Sequence, residues 1–187
     1  MNRMHNTVAL VTGAAGGMGR AHCRRLAEEG ADIIALDIEA AAAELAETAR
    51  EVETTGRLCV TGVADVRDQA SMDAAVADGV AALGRLDVIV ANAGIYSDLG
   101  LSWELSDQAW QRTIDINLTG MWHTVRAAVA ALSDGGSVVI VSSTNGIVGA
   151  AAAAPDTARK HAVVGLARTQ AHQLGPRGLR GNTGRPG

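Results

Sequence analysis

A glycine-rich loop follows the first β-branched run of the chain and has the composition of an anion-binding turn. It reads TGAAGGMG over residues 12–19, with glycines at Gly13, Gly17 and Gly19 among others. Glycine lets the backbone turn tightly and approach a pyrophosphate, and the free N–H groups at the start of a helix attract the anion. We interpret this segment as a dinucleotide-binding loop, the alternative being a tight structural turn. It lacks the GK[ST] ending of a nucleoside-triphosphate loop, which disfavours a kinase or an ATPase.

An acidic residue, Asp37, ends the second β-branched run eighteen residues after Gly19. A carboxylate at this place accepts hydrogen bonds from the ribose hydroxyls of an adenosine and repels a 2′-phosphate. No arginine or lysine follows Asp37 directly. The sequence therefore favours NAD over NADP as the cofactor, and the alternative interpretation is an exposed acid at the end of a strand.

Short β-branched runs alternate with longer segments of helix-forming residues. We expect strands at 7–12, 31–37, 57–63, 86–92 and 137–143, and helices at 19–30, 39–56, 68–84, 106–132 and 157–175. This alternation predicts an α/β fold, a doubly wound Rossmann-type parallel sheet flanked by helices on both faces, in one NAD-binding domain over residues 1–187. Ligands of such sheets lie beyond the carboxyl ends of the strands.

Composition and charge argue against several other classes. A net charge of −4 gives no electrostatic case for nucleic acid, and no apolar stretch reaches the roughly 20 residues that span a membrane. The N-terminus lacks the apolar core of a signal peptide, so a cytoplasmic location is expected. Cys23 and Cys59 lie far apart in the sequence, which favours reduced thiols over a disulfide or a metal site.

Further motifs follow the expected strands in a fixed order. They are Asp65-Val66, the NAG of residues 92–94, Asn117 in DINLTG, Ser143 in VSSTNG, Lys160 and the RPG of residues 185–187. With the TGxxxGxG loop, they resemble the short-chain dehydrogenase/reductase family in its compact form, and most of all its NAD-dependent members of the carveol-dehydrogenase type. The resemblance covers essentially the whole chain and implies hydride transfer between NAD(H) and a small secondary alcohol or ketone.

The resemblance also assigns roles to individual residues. It implies a catalytic role for Asn117, Ser143 and Lys160, and cofactor contacts from Thr12, Gly13, Gly17, Met18, Gly19, Asp37, Ile38, Asp65, Val66, Asn92, Ala93, Gly94, Lys160, Pro186 and Gly187. Ordinary alternatives remain open on the residues alone. Asn117 could stabilise a helix kink, Ser143 could cap a loop, Asp65 could cap the next helix, and NAG could be only a turn.

The catalytic tyrosine of the family is replaced in this chain. Its place, four residues before Lys160 and thirteen after Ser143, is held by Asp156, and Arg159 stands where a small residue is usual. An aspartate is shorter than tyrosine and is ionised at neutral pH, so it is a poor proton donor. We expect Asp156 to act as a helix N-cap with Lys160 as a surface partner, or else as a weak residual base. It could also pair with Lys160 or Arg159 in the first helical turn. Tyr96, the only tyrosine of the chain, follows the fourth expected strand and is a further candidate to replace the missing phenol.

The resemblance implies two more properties. The helices at 106–132 and 157–175 match those through which family members associate, so we expect a homo-oligomer. Compared with the family, we expect the last strand and the substrate lid to be missing, and Gly181 and Gly184 to weaken the sixth strand. A catalytically inactive NAD-binding or subunit-association module is therefore the alternative to an active oxidoreductase.

Overall fold

The computed structural model describes residues 2–186 and contains a parallel sheet of six strands in the order β3-β2-β1-β4-β5-β6. The strands are β1 (Val8–Thr12), β2 (Asp32–Asp37), β3 (Cys59–Val63), β4 (Leu86–Ala91), β5 (Leu132–Val141) and β6 (Arg180–Gly184). The helices are α1 (Gly17–Glu28), α2 (Ala42–Glu53), α3 (Gln69–Leu83), α4 (Asp107–Ile114), α5 (Gly120–Ala128) and α6 (Ala154–Leu174). The predicted doubly wound fold is confirmed.

Helices cover both faces of the sheet because the central strands are apolar on both. All five residues of β1 are buried, and the first four alternate between two core clusters. One cluster takes side chains from α3, α5 and α6, and the other from α1 and α2. Since successive strand residues point to opposite faces, the two clusters are the two sides of one sheet. The carboxyl ends of the strands thereby meet at one edge.

A buried carboxylate ties β4 to the start of β1. Asp87 is 9% exposed, accepts a hydrogen bond from the Val8 N–H at 2.9 Å, and pairs with Arg85. Burial alone would raise the pKa of Asp87, but the bonds from Arg85 and Val8 outweigh it and hold the pKa below its usual value. This link fixes the two central strands at the edge opposite the glycine loop.

The expected helix at 106–132 is wrong as a single element, because it is interrupted. Ser106 caps α4 by accepting a hydrogen bond from the Ala109 N–H at 3.1 Å. The residues Asp115–Thr119 then form a π-helical segment before α5 begins, and a 3₁₀ turn at Val129–Ala131 closes the run. A π turn adds one residue to the helical ladder and commonly occurs at functional sites.

The last elements differ in their bounds from the expectation. α6 begins at Ala154 rather than at 157, because Pro155 is favourable in the first turn of a helix. β5 begins at Leu132 through an irregular register and ends at Val141. β6 forms in spite of its two glycines. A Cβ at Gly181 would lie only 3.3 Å from the backbone of Ala171 on α6, so glycine lets the helix approach the strand.

Three findings concern residues 2–186 only. Cys23 and Cys59 are both free thiols. No group of three or more metal-binding side chains is present there. None of the helices described there combines the length and apolarity required to cross a membrane.

Candidate active site

The glycine loop is closely packed at Gly13 and Gly19, where a side chain would not fit. Gly13 and Gly17 adopt positive φ angles of 67° and 51°, which favour glycine. A Cβ on Gly19 would lie 1.8 Å from the carbonyl oxygen of Gly13. Helix α1 begins at Gly17 with no acidic residue in its first turn, so its N–H groups carry uncompensated positive charge. The loop therefore has the geometry of an anion-binding helix start.

Two side chains that the sequence analysis did not single out brace this loop from outside. Arg20 donates to the Ala15 carbonyl at 2.6 Å and to the Thr48 hydroxyl at 3.0 Å. Thr48, fully buried on α2, donates to the Ala14 carbonyl at 2.9 Å. The Arg20–Thr48 and Thr48–Ala14 contacts span 28 and 34 positions of the sequence, so a local motif does not reveal them.

Asp37 lies at the carboxyl end of β2, beside the glycine loop as expected. One of its carboxylate oxygens accepts from the Ala15 N–H and the other from the Ile38 N–H, both at 2.8 Å. Asp37 is therefore more than an exposed acid at a strand end, because it holds the loop. Each carboxylate oxygen has a second lone pair, so further acceptance from a hydroxyl is possible. Ile38 and Met18, the neighbours predicted to contact the cofactor, are 45% and 47% exposed.

Asp65 and Val66 follow β3, and Val66 packs against Gly120 at the start of α5. The Asp65 carboxylate pairs with Arg67, whose hydrogen bonds lower the pKa of that carboxyl. The alternative that Asp65 caps the next helix is wrong, since Asp68 is the N-cap of α3 and accepts from the Ala70 N–H. Val66 is 7% exposed, and its carbonyl lies 2.8 Å from Nδ1 of His123.

The NAG segment is joined to β1 by its polar groups. The Thr12 hydroxyl accepts from the N–H groups of Asn92 and Ala93, both at 3.2 Å, and the Asn92 side chain donates to the Thr12 carbonyl at 3.0 Å. The Oδ1 atom of Asn92 is buried and has no hydrogen-bond partner within residues 2–186. This segment therefore stabilises the sheet and leaves one buried acceptor beside the glycine loop.

Asn117 lies in the π-helical segment and is fully buried. Its side-chain amide accepts from the Ile95 N–H and donates to the Ile95 carbonyl, each at 2.8 Å. A Cβ on Gly94 would come within 3.1 Å of Oδ1 of Asn117. Asn117 therefore fixes the loop after β4 to the π-helical segment, while its catalytic role stays a prediction.

Ser143 and Asp156 are connected through a residue that the sequence analysis did not consider, Asn145. The Ser143 hydroxyl oxygen accepts from the Asn145 N–H at 3.0 Å, so Ser143 does cap the 3₁₀ turn that follows it. The Asn145 side chain donates to one oxygen of Asp156 at 3.0 Å. Nε of Arg159 donates to the other oxygen at 2.8 Å. The two polar contacts occupy both oxygens of the aspartate.

The expected N-cap role of Asp156 is wrong. Ala153 is the N-cap of α6, and Asp156 lies inside the first turn, because Pro155 lets the helix begin earlier. Burial alone would raise the pKa of Asp156, but the hydrogen bond from Asn145 and the charge of Arg159 outweigh it and hold the pKa below its usual value. The carboxyl group is thus ionised at neutral pH.

The expected surface position of Lys160 is also wrong. Lys160 is 6% exposed, and its ammonium group donates to the carbonyls of Ser142 at 2.7 Å and Val141 at 3.2 Å. Burial, together with the nearby charge of Arg159, lowers the pKa of Lys160 to about 8. Lys160 therefore lies at the carboxyl end of β5, beside Ser143.

The remaining predicted residues lie at the margin of this edge. Pro186 is exposed and follows β6, and Gly187 lies outside the described residues. Tyr96 follows β4 but is fully exposed, with no hydrogen bond to a described residue, so nothing holds its hydroxyl toward Ser143. The structure thus brings the glycine loop, Asp37, the NAG segment, Asn117, Ser143 and Lys160 to one edge of the sheet.

The family model for short chain dehydrogenases matches residues 7–187. The chain belongs to the short-chain dehydrogenase family. Two curated relatives cover nearly all of this short-chain dehydrogenase. An uncharacterized NAD-dependent oxidoreductase of Mycobacterium tuberculosis is 46% identical, over 98% of this chain and 71% of the relative. The (-)-trans-carveol dehydrogenase of Rhodococcus erythropolis is 45% identical, over 100% of this chain and 72% of the relative.

Solved structures of this family superpose closely on the dehydrogenase. Carveol dehydrogenase from Mycobacterium avium in complex with NAD matches with a TM-score of 0.94 and 45% identity, over 98% of this chain and 71% of that one. A short chain dehydrogenase from Mycobacterium paratuberculosis bound to NAD matches with a TM-score of 0.94 and 41% identity, over 99% and 73%. The resemblance that the motifs indicated is therefore confirmed.

Proposed function

We propose that this short-chain dehydrogenase binds NAD(H) at the carboxyl edge of its sheet and that its site is built for hydride exchange with a small secondary alcohol or ketone. The observation that carries the proposal is the carboxylate of Asp37 beside the glycine loop. A 2′-phosphate at this carboxylate would meet like charge, whereas ribose hydroxyls would find two acceptors. Two of the relatives are crystallised with NAD, which agrees with this preference.

The residues present fit a dinucleotide. The space between Gly13 and Gly19 would be closed by a single Cβ, as expected where a backbone must meet a diphosphate closely. The first turn of α1 offers N–H groups and no carboxylate to repel the anion. The buried Oδ1 of Asn92 is an acceptor still open to a donor. Bound NAD would supply the hydride acceptor, and the chain would bind and orient the two reactants.

The chain retains the groups that orient a substrate oxygen. The Ser143 hydroxyl oxygen accepts from the Asn145 N–H, which leaves its own hydrogen free to donate to an alcohol or carbonyl oxygen. Lys160 places a positive charge at the end of the same strand. Asn117 holds the loop after β4 in place by donating to the Ile95 carbonyl.

Proton transfer is the weak step of this site. The Asp156 carboxyl is ionised and engaged by Asn145 and Arg159, so it has no proton to give and only a weak tendency to take one. Loss of a general acid/base costs roughly 10²–10⁴ in rate. We therefore infer a turnover impaired by about that factor. The second candidate function, an NAD-binding or subunit-association module without turnover, is favoured by this same engagement of Asp156.

Calorimetric titration with NADH and NADPH tests the proposal. We expect NADH to bind and NADPH to bind more weakly, and Asp37→Asn to reduce this discrimination. The matched control is Asp134→Asn, which changes an exposed aspartate near the amino end of β5, remote from the loop. Failure of both dinucleotides to bind the folded protein would contradict the proposal. Binding with no change of NADH absorbance over a panel of ketones would favour the module.

Association of identical chains is the remaining proposal. Trp110 on α4 and Trp122 on α5 are each 42% exposed, which is unusual for indole rings. We propose that these faces are covered in a homo-oligomer. A monomeric mass by light scattering at micromolar concentration would contradict this. A cytoplasmic location stays a prediction from the sequence.

A further inference from the structure

Lys160 has unusual partners for a buried ammonium group, because within residues 2–186 it donates hydrogen bonds only to backbone carbonyl groups. It is the sole lysine of the chain and donates to the carbonyls of Val141 and Ser142. Asp156 lies four residues earlier on the same helix, at the spacing where opposite charges commonly pair. No hydrogen bond or ion pair between these two side chains is formed in the described part of the chain, although both are largely buried. Some other group must hold the carboxylate away.

Arg159 is that group. Its side chain is 8% exposed, and its guanidinium reaches one Asp156 oxygen through two nitrogens, Nε at 2.8 Å and a terminal nitrogen at 2.5 Å. The other oxygen is occupied by Asn145 at 3.0 Å. The planar fork of arginine is pre-organised for such a contact, and it binds a carboxylate better than a lysine ammonium does.

The charges around Lys160 are few and can be named. Arg159 lowers the pKa of Lys160 and Asp156 raises it, while burial lowers it most. The elements packed against α6 add no ion pair from the described residues. Within residues 2–186, neither Asp107 of α4 nor Asp115 of the π-helical segment forms an ion pair with Lys160. The cations Arg112 and Arg180 do not contribute to the lowered pKa of Lys160. Among the charged side chains of residues 2–186, Arg159 and Lys160 are therefore the two that compete for Asp156.

We propose that Arg159 is a positioning residue of this site, which holds the Asp156 carboxylate and so leaves Lys160 on the carbonyl groups at the end of β5. Without Arg159, the carboxylate turns to the ammonium and draws it away from those carbonyls. The replacement of a small residue by arginine and of tyrosine by aspartate then form one coupled change. This inference rests on contacts within the chain, so it stands or falls separately from the proposed cofactor and reaction.

The single lysine makes the test direct. Protein grown with lysine labelled at Cε with ¹³C gives one side-chain signal, and its chemical shift follows the ionisation of Lys160 through a pH titration. In the parent chain we expect a midpoint at about pH 8. Arg159→Met, which keeps an apolar stem but no charge, should raise the midpoint by about one pH unit, since a repelling charge is lost and a carboxylate is gained.

Two further variants keep the test decisive. Asp156→Asn should lower the midpoint, because Arg159 then repels Lys160 with no compensating charge. The double variant Asp156→Asn/Arg159→Met should fall between the two single variants. The proposal is overturned if the midpoint of Arg159→Met is not above that of the parent chain and the midpoint of the double variant is not above that of Asp156→Asn. If Arg159→Met does not fold, an unchanged or raised midpoint in Asp156→Asn alone overturns it.

Discussion

Asp156 and Arg159 should stabilise the protein only as a pair, so that restoring the family's tyrosine alone harms the fold. Asp156→Tyr leaves the guanidinium of Arg159 buried without its carboxylate. Removal of one partner from a buried ion pair costs about 3–5 kcal/mol. The Arg159 side chain is 8% exposed and that of Asp156 is 18% exposed, so we expect the low end of that range, about 3 kcal/mol.

The double variant Asp156→Tyr/Arg159→Ala removes the stranded charge as well. We expect it to recover most of the lost stability, and urea unfolding followed by tryptophan fluorescence measures the difference. Its turnover of a secondary ketone, followed by NADH absorbance, should exceed that of the parent chain by roughly 10²–10⁴, because a general acid is restored. Arg50→Ala, which breaks a pair with Glu47 on the surface of α2, should cost less than about 0.5 kcal/mol and serves as the control.

Two results would refute this reasoning. If Asp156→Tyr unfolds at the same urea concentration as the parent, the pair does not carry the stability inferred from its burial. If the double variant is no more stable than the single one, the unpaired guanidinium of Arg159 is not the cause of the lost stability. A stable double variant that binds NADH and shows no turnover would count against the proposed reaction and leave the pair intact.

Three other outcomes are expected. Gly19→Ala should weaken NADH binding more than about tenfold by calorimetry, since its Cβ would lie 1.8 Å from a carbonyl oxygen, whereas Gly16→Ala meets no described atom within 4 Å and should bind normally. Asp87 has a folded-state pKa below its unfolded value, so its contribution to the free energy of unfolding is present above about pH 4 and is lost as the pH falls further. Asp87→Asn should therefore make the free energy of unfolding less dependent on pH in the acid range, and an unchanged dependence would contradict this. Ala152 has a φ of 60°, so Ala152→Gly should raise the free energy of unfolding by about 0.5–1 kcal/mol, while Ala151→Gly should lower it, and equal effects would contradict the role of backbone strain.

The sheet and the glycine loop could be predicted because their causes are local. Apolar runs buried on two faces have a clear pattern, and a glycine at a tight turn is visible in the sequence itself. The start of α6 differs from the prediction because Pro155 is favourable in the first turn of a helix, whereas Asp156 has the side chain of a typical N-cap. The interruption at Asn117 could not be read from periodicity, since one additional residue in a helix barely disturbs the pattern of apolar positions.

The contacts that define the candidate site were harder to predict. Thr48 reaches the glycine loop across 34 residues, and Asn145 reaches Asp156 across 11. Such contacts depend on how helices are docked on the sheet and not on spacing within a motif. The sequence leaves open whether Asp156 pairs with Lys160 or with Arg159, because both lie about one helical turn away. In the structure Asp156 pairs with Arg159, which is favoured by the burial of the pair and the planar shape of the guanidinium.

The π-helical segment makes the long connection between β4 and β5 sensitive to the deletion of a single residue. A π turn takes up its additional residue locally, so deleting one residue from 115–119 would restore regular α-helical winding and leave the helices on either side in phase. The amide of Asn117 would then turn away from Ile95, and the loop after β4 would lose its anchor. Chimaeras that exchange this connection with a regular helix should for this reason be spliced outside the segment, where the winding on both sides is preserved.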